Sequence, residues 1–387
     1  MRSDPTSAEM LARLVAFDTT SRNSNLALID AVRAHLDAYG ISYRISANED
    51  GSKANLHAII GPPVAGGLAL AGHVDTVPVD GQDWHSDPFA LRRADGRLYA
   101  RGSADMKGFV ACALAALPRL RDRNLARPMH LFITYDEETT CAGARRLVAD
   151  LGDSGLRPEF CVVGEPTLMR PVIAHKGKLD VRVEVRGHAG HSSEPARGVN
   201  AVHAAAEAIA WIAAEGRRLA AEGPFEDGFE PPYTTVHVGT VGGGTILNII
   251  PAEAQFMMEW RTIPADDAYA ELERLRAVVA EHIEPAMKRV DPSSGFTFHI
   301  NAELPGLSLD PAHPLVGIVQ QVTGANSATK VSYGTEAGIF QREGNIPSII
   351  CGPGDIAQAH RADEFVAEQQ LAACDTFIDR ITERLLV

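Results

Sequence analysis

Leu68-Ala69-Leu70-Ala71-Gly72-His73-Val74-Asp75 is an apolar run that closes on a histidine and, two positions later, on a carboxylate. The run reads as a short buried strand. Strand residues two apart point to the same side. His73 is therefore placed to ligate a cation while Asp75 accepts the other ring hydrogen and fixes the tautomer. Taken alone, His-x-Asp is also a common accident.

Working outward, residues 55–60, 129–135 and 160–163 are further short apolar strands. Helical periodicity runs over 7–17, 25–39, 106–120 and 143–151. Strands alternating with helices predict an α/β architecture around a mostly parallel sheet. The style changes after His175. Asp180, Arg182, Glu184 and Arg186 alternate with Leu179, Val181, Val183 and Val185, the period of two of a sheet with one wet face. A helix (200–215), strands 234–241 and 254–262, a helix (268–283) and a strand (296–302) follow. That order, β-α-β-β-α-β, is ferredoxin-like. Residues 177–303 thus read as an α+β domain inserted into a discontinuous one formed by 1–176 and 304–387.

A chain of 387 residues is too long for one ordinary domain. Its net charge of −14 and lack of any basic run exclude the electrostatic footprint of a nucleic-acid binder. The polar N-terminus does not read as a signal peptide, and the longest apolar stretches are too short for a membrane span. Five scattered cysteines without a Cys-x-x-Cys pair predict reduced thiols and a cytoplasmic location.

Several acids stand where the predicted strands end. Asp105, at the entrance of the 106–120 helix, reads either as an N-cap or as a carboxylate bridging two ions. Asp136-Glu137-Glu138 closes the 129–135 strand and is either a solvated turn or a cation site, because buried adjacent acids are costly without one. Glu165 follows the 160–163 strand, on the side where open α/β sheets bind ligands. His360 lies in a late loop. Together His73, Asp105, Glu138, Glu165 and His360 form a nitrogen–oxygen donor set without sulfur, suited to zinc or another first-row divalent ion. One bridging carboxylate with one histidine and one acid per ion makes a two-metal site, with ions about 3.5–4 Å apart.

Gly72-His73-Val74-Asp75-Thr76-Val77-Pro78, Gly102-Ser103-Ala104-Asp105-Met106-Lys107-Gly108, Asp136-Glu137-Glu138, Gly164-Glu165-Pro166-Thr167 and His360 occur in that order. They resemble the signatures of the co-catalytic zinc amidohydrolases, a family that includes acetylornithine deacetylases, succinyl-diaminopimelate desuccinylases, aminoacylases and glutamate carboxypeptidases. The resemblance spans essentially the whole chain. It implies a metallopeptidase-like catalytic domain, an inserted dimerisation and lid domain, and two zinc ions for which cobalt or manganese can substitute. His73 and Glu165 would bind one ion, Glu138 and His360 the other, with Asp105 bridging and Asp75 orienting His73. Glu137 would be the general acid/base that carries a proton from the attacking water to the leaving amine.

The same resemblance extends to the insertion. His191, in Gly190-His191-Ser192-Ser193, resembles a histidine that reaches the partner subunit's site in a homodimer and stabilises the oxyanion. An approach to the helix near Asn200 is the alternative reading. Asn248 and Arg261 look like substrate contacts, Arg261 gripping an α-carboxylate; a loop cap and a surface ion pair are the alternatives. The segments at 333–340 and 352–360 look most like the acetylornithine-deacetylating branch, with Glu336 a partner for the δ-ammonium of ornithine. The expected reaction is hydrolysis of N2-acetyl-L-ornithine, a small N-acyl amino acid, to ornithine and acetate. A broader N-acyl-amino-acid hydrolase, a desuccinylase and a dipeptidase share this chemistry, and a catalytically dead metal-dependent binder is the non-enzymatic alternative.

Overall fold

A computed structural model describes residues 4–387. The chain divides into two compact units. The first takes the chain as far as Ala174, then Leu307–Lys330 and Thr335–Val387; the second takes His175–Gly306 and Val331–Gly334. The return of Val331–Gly334 to the second unit differs from the boundaries read in the sequence. It is fixed by Ser332, whose hydroxyl donates to the Glu230 carbonyl at 2.6 Å and accepts the Glu230 N–H at 3.2 Å.

The first unit is built on a nine-stranded mixed sheet. Its centre is parallel: Met129–Thr134, Leu68–His73, Phe160–Pro166 and Ser348–Gly352 lie side by side in that order. Antiparallel strands Ala54–Ile60 and Ser42–Ala47 extend one edge. All six residues of Leu68–His73 and of Met129–Thr134 are buried, as expected where helices cover both faces. The covering helix Lys107–Arg121 is rich in alanine and buried almost throughout. Small residues matter here: a Cβ on Gly164 would meet the Phe109 ring at 1.9 Å, and one on Gly352 would meet the Gly164 carbonyl at the same distance. These glycines let adjacent strands and the helix close up beneath Glu165.

One small sheet was not read from the sequence. Arg92–Ala94 and Arg97–Tyr99 form a hairpin that pairs with Phe365–Ala367. Its turn is Asp95-Gly96, both with positive φ (52° and 70°), the Asp-Gly signal of a tight hairpin.

The second unit carries four antiparallel strands in the order Thr235–Gly243, Glu253–Thr262, Gly177–Arg186, Gly295–Leu304. Gly177–Arg186 alternates buried with half-buried residues as far as Val185 and ends on the exposed Arg186. Its apolar side packs with Ala204, Ala208 and Ile212 of helix Ala201–Glu222 and with Leu272 and Leu275 of helix Ala268–Val278. This is the ferredoxin-like arrangement. The second helix runs further than expected, through a π turn at Val279–Ile283 into Glu284–Val290. Pro285, which has no N–H to donate, stands where the π turn passes into that last segment.

Candidate metal centre

The four parallel strands all deliver their carboxyl ends to one edge of the sheet. His73 ends its strand, Asp136-Glu137-Glu138 follows Met129–Thr134, and Glu165 lies within Phe160–Pro166. The loop bearing His360 follows Ser348–Gly352. Asp136 and His360 hold left-handed backbone, with φ of 58° and 60°, uncommon away from glycine and concentrated at functional turns.

Asp105 does not cap the neighbouring helix. Met106 occupies that position, without a side-chain bond. Instead, Asp105 Oδ1 lies 3.1 Å from His73 Nε2 and Oδ2 lies 3.2 Å from His360 Nε2. Glu138 Oε2 stands 3.0 Å from the same His360 nitrogen, and Glu165 Oε1 stands 3.7 Å from His73 Nε2. On its far side His73 turns Nδ1 to the Asp75 carbonyl at 3.0 Å, with Asp75 Oδ1 at 3.5 Å. Glu137 Oε2 is 3.9 Å from His73 Nε2. Two overlapping groups, His73–Glu137–Glu165 and His73–Asp105–Glu138, are compact enough to hold a cation.

The electrostatics point the same way. Burial, and then the neighbouring carboxylates, push Glu137 and Glu165 well above the usual carboxylate range. Burial and the Asp105 charge raise Glu138 to about 7. Burial would lift Asp105 as well, but hydrogen bonds from His360 and His73 outweigh it and hold Asp105 low. His360 is raised to about 10 by Asp105 and Glu138. So many acids crowded out of water need positive charge, and an imidazole–carboxylate set at these spacings fits divalent cations.

Residues the sequence reading passed over complete the surroundings. The Ser21 hydroxyl donates to Asp75 Oδ2 at 2.7 Å. Lys53 bonds both Asp136 and the Ser21 carbonyl, and the buried Lys107 ammonium reaches the Phe17 carbonyl at 3.0 Å. Lys107 carried a signal, since it stands in the Asp105-Met106-Lys107-Gly108 segment. Ser21 and Lys53 carried none.

Glu336 needs a correction. It is wholly buried, its Oε2 accepts the Thr134 hydroxyl at 2.7 Å, and burial raises it to about 7. Enclosed in this way, it is not open to a substrate ammonium. His191, Asn248 and Arg261 belong to the second unit. His191 is exposed, with Nδ1 2.7 Å from the Ser193 hydroxyl. The Asn248 carbonyl accepts the Ser192 N–H at 3.1 Å, and Arg261 pairs with Glu259 at 3.2 Å. All five cysteines are free and buried.

A parallel sheet that presents histidines and clustered carboxylates at one edge is the scaffold of a metal-dependent hydrolase. The chain belongs to peptidase family M20/M25/M40, whose profile it matches over residues 69–384. It is 37% identical to an acetylornithine deacetylase of Photorhabdus laumondii, over 91% of this chain and 88% of that one. Among solved structures it is similar to the aminopeptidase PepT of Bacillus cereus, with a TM-score of 0.73 at 19% identity over 98% of each chain. It is also similar to YXEP of Bacillus subtilis, described as a dinuclear metal-binding peptidase of the M20 family (TM-score 0.63, 15% identity, 97% of each chain). The protein is a metal-dependent amide hydrolase. No helix among the described residues is long and apolar enough to cross a membrane.

Proposed function

We propose that this protein hydrolyses the acetyl amide of N2-acetyl-L-ornithine to L-ornithine and acetate, a cytoplasmic step of arginine biosynthesis. The observation that carries the chemistry is Asp105, whose two oxygens face the Nε2 atoms of His73 and His360 at 3.1 and 3.2 Å. The substrate rests on the likeness to acetylornithine deacetylases.

His73 and Glu165 would hold one zinc ion and Glu138 and His360 a second, with Asp105 shared; cobalt or manganese suits the same donors. When bound, such ions polarise an acyl carbonyl and acidify water. Asp75 keeps His73 in the tautomer that leaves Nε2 free for a ligand bond. Glu137 takes a proton from the attacking water as its oxygen bonds to the acyl carbon. The C–N bond then breaks, and Glu137 returns the proton to the leaving amine nitrogen. His191 is assigned to the oxyanion, and Asn248 and Arg261 to the substrate, with Arg261 exchanging Glu259 for the α-carboxylate. The second unit is assigned to a homodimer contact; Val241, Ile246 and Leu247 expose apolar surface there (64%, 60% and 96%).

The test is steady-state hydrolysis of N-acetylornithine, N-acetylmethionine and N-succinyl-diaminopimelate after zinc or cobalt is returned to chelated protein. Metal-dependent preference for N-acetylornithine is expected. Preference for another substrate would keep the chemistry and replace the substrate. No turnover with metal bound would leave a dipeptidase or a non-catalytic binder.

A further inference from the structure

Glu364 stands four residues beyond His360 and is 1% exposed, yet its carboxylate is fully engaged. Oε2 accepts from Arg101 Nη1 at 2.8 Å and from the Gly102 N–H at 3.0 Å. Oε1 accepts the N–H groups of Ala104 at 2.9 Å and Asp105 at 3.1 Å. Arg101, also 1% exposed, gives Nη2 to Gln82 Oε1 at 2.5 Å, and Gln82 Nε2 donates to the His360 carbonyl at 3.2 Å. A closed circuit therefore runs from the Asp105 backbone through Glu364, Arg101 and Gln82 to the His360 backbone. A buried ion pair adds little net stability over apolar packing. Here it joins the two loops that bring Asp105 and His360 together, and strand pairing of Phe365–Ala367 with Arg97–Tyr99 anchors both loops just outside the circuit.

We propose that Glu364, acting through Arg101 and Gln82, is a positioning residue that sets the separation of Asp105 and His360 and so retains the ion those two share with Glu138. The inference rests on the two-ion reading above. Glu364 touches neither substrate nor ion; it fixes a backbone N–H beside one ligand and, through two side chains, a carbonyl on the other. Outer partners of this kind set ligand geometry and commonly govern metal affinity by 10- to 100-fold, as an order of magnitude.

The experiment titrates chelated full-length protein with Co²⁺, read by its visible absorption and by metal analysis, for wild type, Glu364→Gln and Gln82→Ala. Glu364→Gln places an amide nitrogen where an oxygen accepts two N–H groups. It should weaken the ion shared with His360 and Glu138 by about 10- to 100-fold and the other, which has only Asp105 in common with it, by a clearly smaller factor. The KM should hold while kcat falls. Gln82→Ala breaks the outer link of the circuit and leaves the buried pair in place, so it should weaken the same ion by a smaller factor. If Glu364→Gln does not fold, Gln82→Ala decides alone. Wild-type affinity for both ions in the variants, or equal weakening of both, overturns the inference while the two-ion reading stands. A wild-type chain that takes up a single ion overturns that reading and the inference with it.

Discussion

Asp75 Oδ1 accepts the backbone N–H of Glu137 at 3.0 Å, so the carboxylate behind His73 also holds the turn that carries Glu137 and Glu138. Its Oδ2 accepts the Glu138 N–H at 3.3 Å and the Ser21 hydroxyl at 2.7 Å. Ser21 thus steadies the Asp75 carboxylate from the N-terminal segment. Hydrogen bonds to charged groups contribute roughly 1.5–3 kcal/mol. Ser21→Ala should lower kcat by about tenfold with KM little changed, and Ser21→Thr should restore most of it. Steady-state kinetics of the two variants decides, and an unchanged kcat in Ser21→Ala would detach Ser21 from the site.

In the proposed mechanism Glu137 carries the proton and is not one of the five ligands, although its carboxylate groups with His73 and Glu165. Replacing it with glutamine keeps size and removes the proton carrier. Turnover should fall by about 10²–10⁴-fold while metal content stays at the wild-type level. A variant within tenfold of wild type would hand the proton transfer to another group.

Without cations the centre stores protons. Glu137 and Glu165 are pushed up, Glu138 to about 7 and His360 to about 10, and His73 is raised as well, because the carboxylates around it outweigh its burial. Glu138 at about 7 and His360 at about 10 are largely protonated at pH 6.5, and ligands must shed those protons to bind metal. Loading at pH 6.5 should therefore release roughly two or more protons per chain, and apparent affinity should rise with pH. Calorimetry of metal binding in buffers of different ionisation enthalpy measures the release; a value of zero would show that Glu138 and His360 are already deprotonated in the metal-free chain.

Much of the centre was legible because it grows from the sheet. Leu68–His73, Met129–Thr134 and Phe160–Pro166 are apolar runs that close on acids or histidine, and a parallel strand can present such residues only at its carboxyl edge. The alternation of Leu179 to Arg186 likewise exposed the second unit. Other features left no local trace. Besides Arg101, the partners of Glu364 are backbone N–H groups about 260 positions away, and no pattern of residue types marks a backbone donor. The strands of the Asp95-Gly96 hairpin are three residues long and rich in arginine, too short to show a period, although the turn itself was readable. Glu336 was read on charge alone, as a partner for the ornithine ammonium, and only the packing around Thr134 reveals that it is enclosed.

That enclosure changes what Glu336→Gln should do. A surface carboxylate meeting the ornithine ammonium would affect the KM for a cationic substrate alone. Buried against Thr134, Glu336 acts on the scaffold, so the KM values for N-acetylornithine and N-acetylmethionine should shift by the same factor. A selective rise for N-acetylornithine would show that the carboxylate becomes accessible during turnover.

The strands next to the site carry a second pair of histidines, His57 and His130, which contact each other. His57 Nε2 lies 2.9 Å from His130 Nδ1, and His130 Nε2 lies 3.1 Å from the Gly66 carbonyl. A carbonyl only accepts, so His130 carries its proton on Nε2 and accepts from His57 through Nδ1. Burial, with the His130 charge as a second cause, lowers His57 to about 3; burial lowers His130 to about 4, against the bond to Gly66. Both are neutral in the folded chain, whereas unfolded histidine titrates near 6.5. Below pH 6.5 the unfolded chain therefore binds more protons than the folded one. The stability they confer is complete above about 6.5 and is lost as pH falls towards about 4. Each histidine contributes a slope of up to about 1.4 kcal/mol per pH unit in that window. Urea unfolding of chelated protein between pH 7 and 4.5, followed by circular dichroism, should show stability falling steeply with acid. The double variant His57→Gln and His130→Gln, less stable at pH 7 or not, should show a shallower fall. Equal slopes in the two proteins would mean that the pair already carries its charge in the folded state.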